Sequence, residues 1–177
     1  MTDRFCLPAC ALAAAAAFGT VAWADAPARA AIKGFAETCF SPFLTAERAA
    51  AAFAAPEIRH DFYDLAPFSD VAPSPAATDV TPGTDRRCEV AFDGGYGVQA
   101  AQGAGDGLAA EGIRRDAPLP SSHADARLPG TTLLAARFLN PARVAVVHTG
   151  TRPGPNGPET FLLVERLTPQ ASAEVTR

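Results

Sequence analysis

The chain of 177 residues carries 15 Lys and Arg against 19 Asp and Glu, a net charge of −4. That acidic balance argues against nucleic acid or an anionic membrane surface as partner, since both select basic patches. Lys33 is the only lysine against fourteen arginines, and with the heavy use of alanine this reads as compositional bias rather than function.

Residues 1–24 read as a cleaved signal peptide. Arg4, offset by Asp3, precedes an apolar run from about Cys6 to Val21, and Ala22-Trp23-Ala24 then supplies the small-x-small pattern of a signal-peptidase site. The run is alanine-rich and shorter than the roughly 20 residues that span a bilayer, which argues against a retained anchor. Cys10 precedes this run instead of following it, so Leu7–Cys10 is not read as a lipoprotein signal. No later stretch is apolar enough to span, so a periplasmic or secreted mature chain beginning near Asp25 is expected. Of four cysteines only Cys39 and Cys88 remain after cleavage. An even pair in an exported chain predicts a disulfide between them.

Residues 25–167 are long enough for a single domain. In Ala28–Phe40, Ile32, Phe35, Cys39 and Phe40 share one helical face, and Ser41-Pro42 ends that helix. Thr45 then caps a second helix, with Glu47 in its first turn and Pro56 as its stop. Glu57–Leu65 is ambiguous between a helical turn and a short strand. Prolines, Ser, Thr and Asp make 66–87 a mobile surface loop. Cys88–Asp93 alternates as a strand, with Cys88, Val90 and Phe92 on one face and Glu89 and Asp93 on the other. Val98–Ile113 reads as a weak helix, because Gly103, Gly105 and Gly107 each cost about 1 kcal/mol relative to alanine. A second mobile loop follows at 114–130. Thr131–Leu139, Arg143–Gly150 and Glu159–Leu167 are β-rich runs joined by turn residues, which predicts a three-stranded antiparallel meander. Residues 168–177 read as a frayed tail. The pattern is α+β: two N-terminal helices, a strand, a weak helix and the meander, with the helices on one face of the sheet.

Gly95-Tyr96-Gly97-Val98-Gln99-Ala100 fits the G-x-G-x-x-A outline of a nucleotide-binding turn, and Asp116 stands near where a ribose-binding acid would fall. Its context argues against that use. A Rossmann first strand is apolar on both faces, whereas Glu89 and Asp93 give this one a wet face. Arginines and prolines crowd the segment where a second parallel strand should end. A strand-to-helix turn in which Gly94 and Gly95 supply positive φ is the expected reading, so no cofactor is called for.

Three further constellations carry chemistry. His60 and Asp64, at i and i+4, would share a metal on a helix, with His123 as a third ligand, but no spaced set such as H-E-x-x-H is present and no metal site is favoured. Ser121-Ser122-His123 is adjacency without the geometry of a triad. Arg137, His148 and Glu165, on neighbouring strands of the meander, are placed to meet as cross-strand partners in a binding patch. The reading is a periplasmic, non-catalytic accessory or binding module whose partner is an envelope protein or a small molecule. The alternative is a metal-dependent hydrolase using His60, Asp64 and His123, and a third reading is nucleotide binding at Gly95–Ala100.

Overall fold

The structure, a computed structural model, describes residues 25–76 and 80–177; the proposed leader lies outside them. The first helix, α1 (Ala26–Thr38), starts where Asp25 Oδ1 accepts from the Ala28 amide at 2.9 Å. It buries Ala28, Ala31 and Phe35 and runs into the buried Cys39 and Phe40. Thr45 caps α2 (Ala46–Ala52), accepting from the Arg48 amide at 3.3 Å. The ambiguous segment resolves as a strand, β1 (Ile58–Asp64), and β2 (Thr84–Asp93) begins earlier than Cys88. Helix α3 (Gly97–Ala110) follows, then β3 (Asp116–Ala117), the short α4 (Ser121–Asp125), β4 (Thr131–Asn140), β5 (Arg143–Gly154), β6 (Gly157–Leu167) and α5 (Pro169–Val175).

The six strands form one antiparallel sheet in the order β1-β2-β6-β5-β4-β3. The chain is thus α+β, and its sheet differs from the expected arrangement in two ways. The meander gains β3 at its outer edge, and β2 inserts beside β6 so that the β1–β2 hairpin extends the sheet on the other side. Strands β5 and β6 also run further than their apolar cores. Pairing continues through Arg152, Pro153 and Gly154 to a turn at Pro155-Asn156, and Gly157 takes φ +120° there.

Period-two alternation divides the sheet into two faces. Cys88, Val90 and Phe92 of β2, Leu162 and Val164 of β6, and Ala145 and Val147 of β5 pack under α1, α2 and α3. On the opposite face Ala136, Val144, Val146 and Leu167 form a smaller cluster under Ala171 and Val175 of α5. Helices therefore lie on both faces. The expected frayed tail is α5: Thr168 Oγ1 caps it by accepting from Ala171 N, and its fully buried Ser172 takes the Val144 amide on its hydroxyl. The second expected loop, 114–130, contains both β3 and α4, the latter lying across this face with His123 as its one buried residue.

The glycines that weaken α3 as an isolated helix let it approach α1. A β-carbon on Gly107 would stand 2.7 Å from the Phe40 ring and 2.8 Å from the Ala36 carbonyl oxygen, and one on Gly103 would collide with Ile32. Gly105 faces open space. Gly105→Ala should therefore stabilise the fold by up to about 1 kcal/mol, whereas Gly107→Ala should cost about 1–3 kcal/mol through overpacking. Urea melts of the two variants beside the parent check the opposite signs.

Cys39 and Cys88 form a disulfide with Cα atoms 5.6 Å apart, tying the end of α1 to the centre of β2. Among the described residues no helix is long and apolar enough to cross a membrane. Both features are compatible with a periplasmic or secreted protein.

Candidate functional site

The helix layer does not cover the whole sheet. Helix α3 stops at Ala110, and Gly112, at φ +71°, turns the chain away. Beyond that point, among the described residues, Phe40 and Pro42 after α1 and Ala66, Pro67 and Phe68 after β1 roof the sheet. Between roof and sheet lies a cavity of about 540 Å³, walled by Ile113, Leu139, Ala145, Val164 and the Cys39–Cys88 bridge, with Glu111 and Asn140 also on its lining. At its mouth the exposed rings of Phe43 and Phe68 meet edge to face at 5.3 Å, with Leu65 and Val71 exposed in the same loop system.

One end of this apolar cavity is cationic. Arg86, Arg143 and Arg166 all line it. Arg166 donates from Nε to Asp85 at 2.7 Å and from Nη2 to Asp64 at 2.6 Å, and Arg143 Nη2 donates to Asp85 at 2.7 Å. Arg86 Nη2 donates to the Ser41 carbonyl at 2.7 Å, pinning the loop after α1, while its Nε stands 3.5 Å from Asp64. Three guanidiniums thus share two carboxylates, Asp64 and Asp85. The Nε atoms of Arg86 and Arg143 are buried without a hydrogen-bond acceptor. Burial pushes the Arg86 pKa down to about 10 against the pull of Asp64, and neighbouring Arg166 lowers it further. A buried cation in that position is short of negative charge.

Alternation made part of this cluster readable: Arg86 has the parity of Cys88, and Arg166 that of Val164, so both point to the helix side. Nothing in the sequence marked the gap in the helix layer that turns these arginines into a cavity lining, nor Arg143 at the start of β5.

His148 and Glu165 lie together on the opposite face, lining a smaller cavity of about 190 Å³ with Arg87, Glu89, His123 and Arg152. Arg137 is not with them. Leu134 pairs with His148 and Arg137 with Ala145, so β4 presents its even-numbered residues to the His148 face and Arg137 to the other side. There Arg137 pairs with Asp116 at 2.6 Å. The proposed patch of three therefore reduces to His148 and Glu165, with His123 reaching Glu165 at 3.3 Å from α4.

The residues of the metal-hydrolase alternative do not converge. His60 and Asp64 lie on a strand, where a four-residue separation spans about 13 Å rather than one helical turn. His60 packs on Phe53 at 5.9 Å, Asp64 is held by Arg86 and Arg166, and His123 sits across the sheet. Among the described residues no group of three or more His, Cys, Asp or Glu is placed to hold a metal. His123 Nδ1 does lie 3.1 Å from Ser122 Oγ, but Ser122 does not line the cavity, whereas Thr81 does.

The glycine turn packs against the protein itself. Thr160 Oγ1 accepts from the Tyr96 amide at 2.8 Å and donates to the Gly94 carbonyl at 2.7 Å, while Gly97 abuts Thr132 and Thr151. Only Gly94 takes positive φ (+111°); Gly95 does not, which corrects the expectation that both would.

The smaller cavity sets a pH dependence. Burial holds His148 below the ordinary imidazole value, outweighing the charge of Glu165. For Glu165, burial opposes ionisation, but the hydrogen bond and charge of His123, then Thr81 and Arg87, outweigh it and lower the pKa. Both groups bind a proton less readily folded than unfolded, so stability is full at high pH and falls with pH. The loss begins near about pH 6.5 through His148 and resumes near about pH 4.3 through Glu165. Urea midpoints across this range should show both steps, and His148→Gln should remove the upper one only.

The fold and its cavities define an α+β protein with a ligand-sized, arginine-lined pocket. Comparison with protein-family models, with curated proteins and with solved structures finds no match.

Proposed function

We propose that the chain is an exported, non-catalytic binding module of the periplasm, and that the cavity beside the Cys39–Cys88 bridge is its ligand site. The ligand class is an anionic amphiphile, a carboxylate or phosphate head on an apolar body. One observation carries this reading: three guanidiniums sharing two carboxylates line a cavity whose other walls are mostly apolar, with Glu111 and Asn140 as the polar exceptions. Apolar walls favour a hydrocarbon body through burial, and unspent donors at one end fix the orientation of an acidic head. The Phe43–Phe68 rim extends the apolar surface outward for a ligand longer than the cavity.

Calorimetric titration with laurate, dodecyl phosphate and dodecanol tests it. Laurate, dodecyl phosphate or both should bind saturably, and dodecanol at least about tenfold more weakly, the value of one lost charge-assisted hydrogen bond. Arg143→Gln, chosen because Arg143 is the least buried of the three, should erase that preference. Equal binding of the alcohol and the acids, or no saturable binding of either acid, would overturn the reading.

A further inference from the structure

The second cavity, on the opposite face, is lined by balanced charges, Arg87 and Arg152 against Glu89 and Glu165. Its surroundings are a continuous chain of alternating ions across β1, β2, β5 and β6. Asp61 faces Arg87, Arg87 bonds Glu89, Glu89 bonds Arg152, Arg152 bonds Glu159, Glu159 bonds Arg59, and Arg59 bonds Asp93. The chain starts and ends on a carboxylate; of its members Arg87, Glu89 and Arg152 line the cavity, where Glu165 is the second acid. Arg152 is further committed by lying over the Phe161 ring at 5.1 Å.

Two acceptors in this cavity are unspent. Glu165 is 3 % exposed, and its Oε1 is buried with no hydrogen-bond partner, while its Oε2 faces His123. The second acceptor follows from proton counting. Thr131 Oγ1 donates its one proton to the Leu128 carbonyl at 2.6 Å, so at 2.7 Å from His148 Nε2 it must be the acceptor. Nε2 therefore carries the proton in neutral His148, which leaves Nδ1 as a lone-pair acceptor. Burial favours that neutral form. Strand register places the two residues diagonally: Leu163 pairs with His148, and Glu165 stands two residues beyond it on β6. Side chains at such positions start about 7–8 Å apart and reach a common point between them.

A buried carboxylate oxygen without a hydrogen-bond partner and an imidazole nitrogen lone pair select a ligand that brings N–H donors, and the unpartnered carboxylate oxygen favours one that carries positive charge. We propose that the cavity bounded by His123, His148 and Glu165 is a binding site for a small primary ammonium compound, its ammonium donating to Glu165 Oε1 and His148 Nδ1. Leu128, Leu134, Val146 and Leu163 supply apolar wall for a short alkyl chain. A volume of about 190 Å³ admits a few carbons and no more, well above the roughly 30 Å³ share of one water. This site is independent of the arginine-lined cavity, from which the sheet separates it, and α4 with Leu128 forms its outer wall.

The test is titration of the mature protein with propylammonium, followed by calorimetry and by the imidazole proton signals of His148, with propan-1-ol as the uncharged probe of similar size. Propylammonium should bind saturably and shift the His148 signals, and propan-1-ol should do neither. Glu165→Gln, which keeps shape and hydrogen bonding but removes charge, should weaken binding by at least about tenfold, in line with a charge-assisted hydrogen bond. Because that substitution also touches His123, His148→Leu is the second variant, and it should weaken binding without disturbing the His123–Glu165 pair. The His60→Ala variant, on the other face, should bind as the parent does. Absence of saturable propylammonium binding, equal binding of the alcohol, or parental affinity in both site variants overturns the proposal.

Discussion

Replacing Cys39 and Cys88 together by alanine is expected to lower the unfolding free energy by about 4 kcal/mol. The bridge joins residues separated by 49 positions, and closing a loop of that length removes roughly this much chain entropy from the unfolded state. The loop it closes contains α2, β1 and the segment leading into β2, so the crosslink restrains most of the chain that builds the β1–β2 edge of the sheet. Both residues are buried, at 4 % and 1 % exposure, so alanine also removes some packing, and the two effects add. For a chain of this size about 4 kcal/mol corresponds to a fall of roughly 8–16 °C in Tm. Thermal melts of the parent, the parent under reductant and the double variant provide the check. The reduced parent should fall by the crosslink's share and the variant somewhat further, and an unchanged midpoint on reduction would remove the crosslink from the account of stability. The bridge also forms part of the wall of the arginine-lined cavity, so reduction should weaken amphiphile binding in samples that remain folded.

The parts of this fold that were legible in the sequence are those where one local rule decides. The disulfide followed from cysteine parity in a chain whose sequence reads as exported, and α2 from Thr45 and Glu47 at its start. The faces of β2 followed from the alternation of Cys88, Val90 and Phe92. Where two rules competed, the local one lost. Gly103 and Gly107 argued for a weak helix on propensity, yet α3 runs for 14 residues because those glycines let α1 close on it. Residues 168–177 carry few large apolar side chains and read as a tail, but Thr168 caps a helix whose Ser172 answers a strand amide. The candidate patch depended on register, which period-two patterning within a strand does not fix. A one-residue shift between β4 and β5 decides whether Arg137 stands beside His148 or behind it. The arginine-lined cavity was the least legible feature. It arises from where α3 stops relative to the sheet, a relation between segments distant in sequence.

Asp64→Ala is expected to cost about 3–5 kcal/mol, the range for removing one partner from a buried ionic cluster. Asp64 Oδ1 accepts from Arg166 Nη2 at 2.6 Å and from the Ala66 amide at 3.1 Å, and Oδ2 stands 3.5 Å from Arg86. The Asp64 and Arg86 side chains are only 5 % and 8 % exposed, so water cannot replace the lost charge, and the loop carrying Ala66 loses its anchor as well. Asp64→Asn separates charge from shape. It keeps an acceptor for Ala66 and Arg166 while leaving three guanidiniums to share Asp85 alone, and its cost should be smaller than that of alanine. The same change makes the cavity more positive, so an anionic amphiphile should bind the asparagine variant more tightly than the parent. Linkage then gives opposite orders of stability gain and basal stability: the variant melts lower in buffer and gains more from a fixed laurate concentration. Asp93→Asn, on the other face with its carboxylate 47 % exposed, should alter neither the basal midpoint appreciably nor the laurate gain. If Asp64→Asn folds and gains no more from laurate than the parent does, the arginines serve the fold alone and their excess charge is not what a ligand meets.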